Sequence, residues 1–444
     1  MFGIVAPARF ESRFPMLTRA SLTGSLGLAL LAATAFPALA QDRGGSLAQA
    51  EWAQNYDSAA TMRVQRSNTP ILSPQTLAAT EQMVERYRDI VARGGWQSVS
   101  GAERLRVGSK SPAVTALRQR LIVSGDLDPA AGSSPVYDSY VDAGVRRFQA
   151  RHGLNQTGAM NVTTVQAMNV PADVRLRQLE LNAVRLRSYS GNLGERYVIV
   201  NIPAALVETV DGDHVATRHA AGVGKIDRQS PIMNAKIQEV NFNPFWTVPA
   251  SIIKKDLIPK MQKDPSYLTD NKIRIFNGDR EIPPSQVNWH SDEATRYRFR
   301  QDPGVDLNSM GFVRINIPNP HGVYMHDTPA KGIFGDDFRF VSSGCVRVQN
   351  VREYVSWILQ GTPNANPDTI EQIIQSGQRV DARPTAPIPV YWTYITAWST
   401  PDGLVQFRDD IYKRDGAGAP TASMAAAAAG PRNFNPDADD DQTN

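Results

Sequence analysis

The sequence predicts an α+β multidomain protein: a β-rich domain with an inserted, lid-like segment, preceded by a small three-helix module. Three observations carry this. Apolar residues recur at helical spacing in stretches between Thr76 and about Asn169, and from Arg196 onward the period changes to β-branched, strand-like runs. A length of 444 residues exceeds what one hydrophobic core usually organises. Between 250 and 304 a helical, proline-punctuated stretch with Lys254, Lys255 and Lys260 interrupts the strands; an insertion of this size is either a lid or an inert elaboration.

Residues 1–40 read as a secretory signal peptide. Arg9, Arg13 and Arg19 precede an apolar stretch from Leu22 to Phe36, and Ala38-Leu39-Ala40 supplies a cleavage pattern, with Met16 as an alternative start. The stretch is short for a membrane span and is broken at Thr23, Gly24 and Ser25. An exported chain without a stable membrane span after cleavage is therefore expected. The formal charge is +3, and Arg9, Arg13, Arg19 and Glu11 supply most of it, so the remainder is nearly neutral. That balance argues against nucleic acid as a partner.

Residues 41–104 read as a helical scaffold segment, with Leu77, Met83, Val84 and Tyr87 at helical spacing between Thr76 and Val91. From 105 to 171 a compact helical module follows. Val114, Leu117 and Leu121 mark a helix after Pro112 that ends at Gly125-Asp126; Val141, Val145 and Phe148 mark a second, ended near His152-Gly153; a third follows Thr163. The stretches "LRVGSKSPAVTALRQRL", "AGVRRFQARHGL" and "TGAMNVTTVQAMNVP" resemble the peptidoglycan-binding-like domain, departing from it at Thr157, where Asp is usual, and Asn161, where Gly is usual. The resemblance implies peptidoglycan glycan and stem peptides as partners; a helical spacer without ligand affinity is the alternative.

Residues 172–194 form a linker helix, with Leu176, Leu179 and Val184 on a covered side and arginines on the other. The β-rich domain spans 195–415, opening with "RYVIVNIP", "ALVETV" and "HVATRHAAGVG" and returning after the insertion at "GFVRINI", "GVYMHD", "CVRVQN" and "PVYWTYITAW", with a helix from Val351 to Leu359. The tail, 416–444, is rich in Ala, Gly, Pro and Asp and reads as disordered.

Cys345 is the sole cysteine. In an exported chain it is a buried small hydrophobe, an intermolecular bridge or a reactive thiol. A thiol is mostly protonated at neutral pH, so nucleophilic use needs a base, and His326, 19 positions earlier, can supply one. Ser343 and Gly344 let the backbone turn so that amides around Ser343, Gly344 and Cys345 form an oxyanion hole. Arg347 faces the same side as Cys345 if the segment is extended, to hold the loop, a substrate carboxylate or a structural ion pair. Asp327 fits a loop-holding role. Tyr324 shares a face with His326 in a regular strand; it and Trp246 either line a groove or fill core. The histidines show no metal-ligand spacing, so neither zinc nor another cofactor is expected.

"HDTP", the 19-residue interval and "SSGCVRV" resemble the catalytic signature of the L,D-transpeptidase family, and fit best its large periplasmic branch with a peptidoglycan-binding-like domain. "NFNPFWTVPASIIKKDLIPKM", "DPSYL" and "YWTYITAW" with "GLVQFRDDIY" extend the resemblance over roughly 105–415. It implies a periplasmic enzyme with Cys345 as nucleophile and His326 as general base and acid, the ring being oriented by a backbone carbonyl. It further implies a thioester formed with release of D-Ala, transfer to a diaminopimelate amine as a 3→3 cross-link, and acylation by carbapenems. The same acyl-enzyme serves hydrolysis, D-amino-acid exchange or protein anchoring; a non-catalytic wall-binding scaffold is the remaining alternative.

Overall fold

The computed structural model describes residues 67–189, 191–303 and 307–416. The signal peptide, the first part of the scaffold segment and nearly all of the tail lie outside the described residues. Seven helices matter here: α1 Pro74–Ala92, α2 Pro112–Ser124, α3 Ser139–Arg151, α4 Val162–Met168, α5 Ala172–Arg187, α6 Val351–Ile358 and α7 Pro367–Ser376. No helix among the described residues is long and apolar enough to cross a membrane.

Helices α2, α3 and α4 close around Val114, Leu117, Leu121, Val141, Val145 and Phe148. Their ends are capped by side chains: Ser111 accepts from the Ala113 amide, Asp138 from Tyr140 and Val141, and Asn161 from Thr164. Gly125 ends α2 at φ 82°. Asn161 thus departs from the usual glycine to act as a cap.

The β-rich region is built from β1 Arg196–Asn201, β2 Leu206–Asp211, β3 His214–Gly224, β4 Met233–Ile237, β5 Glu239–Phe242, β10 Val313–Asn316, β11 Met325–His326, β12 Phe340–Ser342, β13 Val346–Val348, β14 Val380–Ala382 and β15 Ile388–Thr393. Their order is β14-β5-β10-β11-β13-β3-β2-β1-β15-β4, with β12 pairing β3. One face meets α6 and α7 through Val351, Tyr354, Val355, Ile358, Ile370 and Ile374. On the opposite face Tyr197, Ile199, Leu206 and Val210 pack with Leu72 and Leu186. Cover on both sides explains why β1 is an unbroken apolar run rather than an alternating one.

Two expectations need correction. In α5 Val184 is 60% exposed, and the buried side carries Arg175, Gln178 and Asn182 beside Leu179, Ala183 and Leu186. That side docks on irregular backbone near Thr396, whose polar groups require polar partners: Gln178 donates to the Thr396 and Arg408 carbonyls, and Asn182 accepts from the Thr396 amide. The insertion is also more than a helical stretch. Joined by β6 Trp246–Thr247 just upstream, it forms a second sheet, ordered β6, β9 Arg298–Gln301, β7 Ile273–Asn277, β8 Arg280–Ile282, over a core of Ile253, Leu257, Met261, Leu268, Ile275 and Phe299.

Candidate active site

Alternation along neighbouring strands builds the site. Met325, Val346, Val348, Val313 and Ile315 point into the core, so the residues between them point to the other face. The parallel register pairs Met325 with Val346 and His326 with Arg347, which sets Tyr324 beside Cys345 one step earlier; the Val346 amide donates to the Tyr324 carbonyl at 3.0 Å. β10 adds Arg314, paired with His326. Tyr324, His326, Cys345, Arg347 and Arg314 therefore share one face. The Tyr324 and His326 rings lie 5.6 Å apart, and the Arg314 guanidinium sits 4.8 Å from the Tyr324 ring centre. The register makes Cys345 and His326 diagonal neighbours across the parallel β11–β13 pair.

His326 is buried, and its Nδ1 bonds the Asp327 carbonyl at 2.5 Å. A carbonyl only accepts, so the proton sits on Nδ1 and the lone pair on Nε2. Burial, reinforced by the Arg347 charge, lowers the imidazole to about 3, while the Asp327 and Ser309 carbonyls pull it back. The ring is thus uncharged at neutral pH. The fully buried Asp327 carboxylate holds the loop instead, accepting from the Phe312 amide at 3.0 Å and pairing with Lys331 Nζ at 2.5 Å. Gly311 permits this: its φ is +57°, and a Cβ there would lie 2.2 Å from Asp327 Oδ2.

Cys345 is half-buried and free of any disulfide. Burial raises its pKa, against which act the Tyr324 amide and hydroxyl and then the Arg347 and Arg314 charges. The resting pair is a neutral thiol beside a neutral imidazole. Trp246, on β6 at the edge of the second sheet, acts as a hydrogen-bond donor towards the Tyr324 hydroxyl. Gly344, at φ +109°, makes the turn before the thiol, but its N–H donates to Ser342 Oγ at 3.1 Å. That bond removes one of the three amides expected in the oxyanion hole, leaving those of Ser343 and Cys345 as its candidates. The exposed Ser343 side chain accepts from Arg228 Nη1 at 2.9 Å, and Ser342 Oγ donates to the Cys345 carbonyl at 2.5 Å.

Residues 195–365, which contain this whole face, match the family described as "L,D-transpeptidase catalytic domain". This region is an L,D-transpeptidase catalytic domain. Residues 110–168 match a "Putative peptidoglycan binding domain". A curated relative from Haemophilus influenzae, named "Putative L,D-transpeptidase", is 33% identical over 244 residues, 54% of this chain and 48% of the relative. The chain thus spans about half the length of that relative. Among solved structures, an L,D-transpeptidase from Stackebrandtia nassauensis is 10% identical, covering 68% of this chain and 98% of that one at a TM-score of 0.26. One from Mycobacterium smegmatis is 12% identical, covering 45% and 58% at 0.23.

Within the transpeptidase domain, several contributors were not singled out from sequence. Arg314 had a signal, standing between Val313 and Ile315 in "GFVRINI", but the pairing of its strand with that of His326 did not. Ser309, Ser342 and Arg228 lie in or beside connections without periodicity, and their roles arise only from backbone geometry.

Proposed function

We propose that the chain is an exported, cysteine-dependent L,D-transpeptidase of peptidoglycan stem peptides. The observation that carries this reading is a disulfide-free thiol sharing a sheet face with a neutral imidazole whose lone pair lies on Nε2. Cys345 Sγ attacks the carbonyl at the L-centre of diaminopimelate in a donor stem, while His326 Nε2 takes the thiol proton. The tetrahedral oxyanion is met by the Cys345 and Ser343 amides. The C–N bond then breaks, His326 returns the proton to the departing D-Ala amine, and a thioester remains. A diaminopimelate amine on a neighbouring stem attacks it; the new C–N bond forms the 3→3 cross-link, the C–S bond breaks and the thiol is restored. Arg347 and Arg314 offer positive charge to a substrate carboxylate, Tyr324 and Trp246 form a wall of the donor groove, and the module at 110–168 holds the enzyme against wall glycan.

The test is intact-protein mass spectrometry after exposure to a carbapenem. Wild-type protein is expected to gain one drug mass and Cys345→Ala none, with His326→Gln acylated about 10² to 10⁴ times more slowly. An unmodified wild-type chain under conditions that label a related transpeptidase refutes the reading. Digestion of walls made with and without the protein separates acceptors: diaminopimelate dimers mark cross-linking, shortened stems hydrolysis, altered terminal D-residues exchange, and a Lys-bearing remnant protein anchoring.

A further inference from the structure

The connection between β3 and β4, residues 225–232, grips the nucleophile loop at three successive residues. The Lys225 amide donates to the Ser342 carbonyl at 2.9 Å, Arg228 Nη1 to Ser343 Oγ at 2.9 Å, and Ser230 Oγ to the Gly344 carbonyl at 2.8 Å. Gly224 makes the fold-back possible, because a Cβ there would lie 2.3 Å from the Arg228 carbonyl oxygen. The same guanidinium reaches into the insertion. Arg228 Nη1 and Nη2 take the two carboxylate oxygens of Asp256 at 2.5 and 2.8 Å, a bidentate pair with the arginine side chain 16% exposed and the aspartate 32%.

Asp256 is placed by the insertion's own packing. It lies in a single π-helical turn, Ile253–Leu257, whose flanking Ile253 and Leu257 are buried in the insertion's core. Such turns are unusual and recur at functional sites. Trp246, on the strand that pairs with β9 of the insertion, acts on the Tyr324 hydroxyl. The insertion and the strand paired with it thus touch the surroundings of Cys345 by two routes, and the Arg228 route is the one with a fixed bidentate geometry.

We propose that Arg228 is a positioning residue that clamps the inserted segment, through Asp256, to the nucleophile loop at Ser343, so that the reactivity of Cys345 depends on the insertion being docked. This rests on the transpeptidase reading only for its substrate. The clamp itself acts on the thiol whatever the acyl donor. Arg228 touches no reacting atom; it sets the angle at which Ser343, Gly344 and Cys345 present their amides and sulfur, and small misplacements of such a loop have large kinetic effects.

The test uses the full chain with Arg228→Gln, Asp256→Asn, the double variant and Asp256→Glu. Asp256→Asn is near-isosteric and partly exposed, so it keeps the fold if Arg228→Gln does not. Three readouts are followed per folded thiol: carbapenem acylation rate by mass spectrometry, iodoacetamide alkylation rate, and thermal midpoint. Each single variant is expected to slow acylation about tenfold or more. The double variant should be no worse than the worse single, because both cut one clamp, and Asp256→Glu should recover most of the rate. If the singles shift the thermal midpoint while both thiol rates stay at wild-type values, or if their effects multiply, the clamp is merely structural and the proposal fails. A wild-type chain that alkylates but never acylates defeats the transpeptidase reading alone, since the alkylation arm still judges the clamp.

Discussion

The thiol and the imidazole are displaced from their ordinary pKa values in opposite directions, and that decides how each responds to pH. Burial and the neighbouring Arg347 hold His326 down at about 3, so the ring stays a neutral base throughout the working range. Burial raises Cys345 above its usual value, so thiolate accumulates only on the alkaline side. Its alkylation by iodoacetamide should therefore climb about tenfold per pH unit from pH 6 to 9 without levelling. A plateau near neutrality would mean a preformed thiolate–imidazolium pair and would contradict this account. His326→Gln should leave that slope in place while slowing carbapenem acylation, since alkylation needs the thiolate and acylation needs the proton relay. The pair was legible in the sequence because two residue types at a fixed interval suffice to suggest it. The diversion of the Gly344 amide to Ser342 was not, because it depends on a loop turn that no spacing encodes.

At the scale of elements, legibility tracked length and period. Strands β1 to β3 were read almost to their ends, α1 and α2 to within a few residues, and α3 and α4 at one end each, because an apolar pattern or a turn signal marks those ends. The insertion's sheet was missed because its strands are two to five residues long, among them the arginine-rich "RFRQ", too short and polar for alternation to register. Helix α7 was missed despite clear signals: an Asn366 cap, Pro367 in its first turn and Gly377 at φ 66° beyond its end. Helix α5 covers Leu176 and Leu179 as expected but not Val184, and its buried side is wider and more polar than read, since an arginine and two amides read as solvent-facing until the backbone they satisfy is known. The corrected face makes a prediction. Val184→Lys should change unfolding free energy by no more than about 0.5 kcal/mol. Asn182→Leu strands the Thr396 amide, which it bonds at 2.9 Å, while the Thr396 hydroxyl keeps Asp415, and should cost about 1 to 3 kcal/mol. Chemical denaturation measures both, and a larger penalty at Val184 would reverse the facing.

Across the whole molecule, three buried histidines lie in separate parts of the fold and share one titration behaviour. His152 stacks on Phe148 of the helical module at 3.8 Å and on Phe407 of the C-terminal strand Val405–Phe407 at 5.6 Å; His219 is sealed within β3; His326 is in the site. Burial lowers all three, His219 to about 4, His326 to about 3 and His152 well below its usual value. Below about pH 6.5 the unfolded chain takes up protons at these positions and the folded chain does not, so stability falls as pH falls. Asp336, Asp337, Glu353 and Asp415, raised by burial, work the other way, from the ordinary carboxylate value up to their raised ones. Each histidine contributes a slope of up to about 1.4 kcal/mol per pH unit once the solution is well below its unfolded pKa. The thermal midpoint should therefore drop steeply between pH 6.5 and 5. His152→Gln or His219→Gln should flatten that drop relative to wild type, because a neutral amide removes one proton-linked site whatever it does to absolute stability. A profile that neither variant flattens would show that those two rings carry protons in the fold.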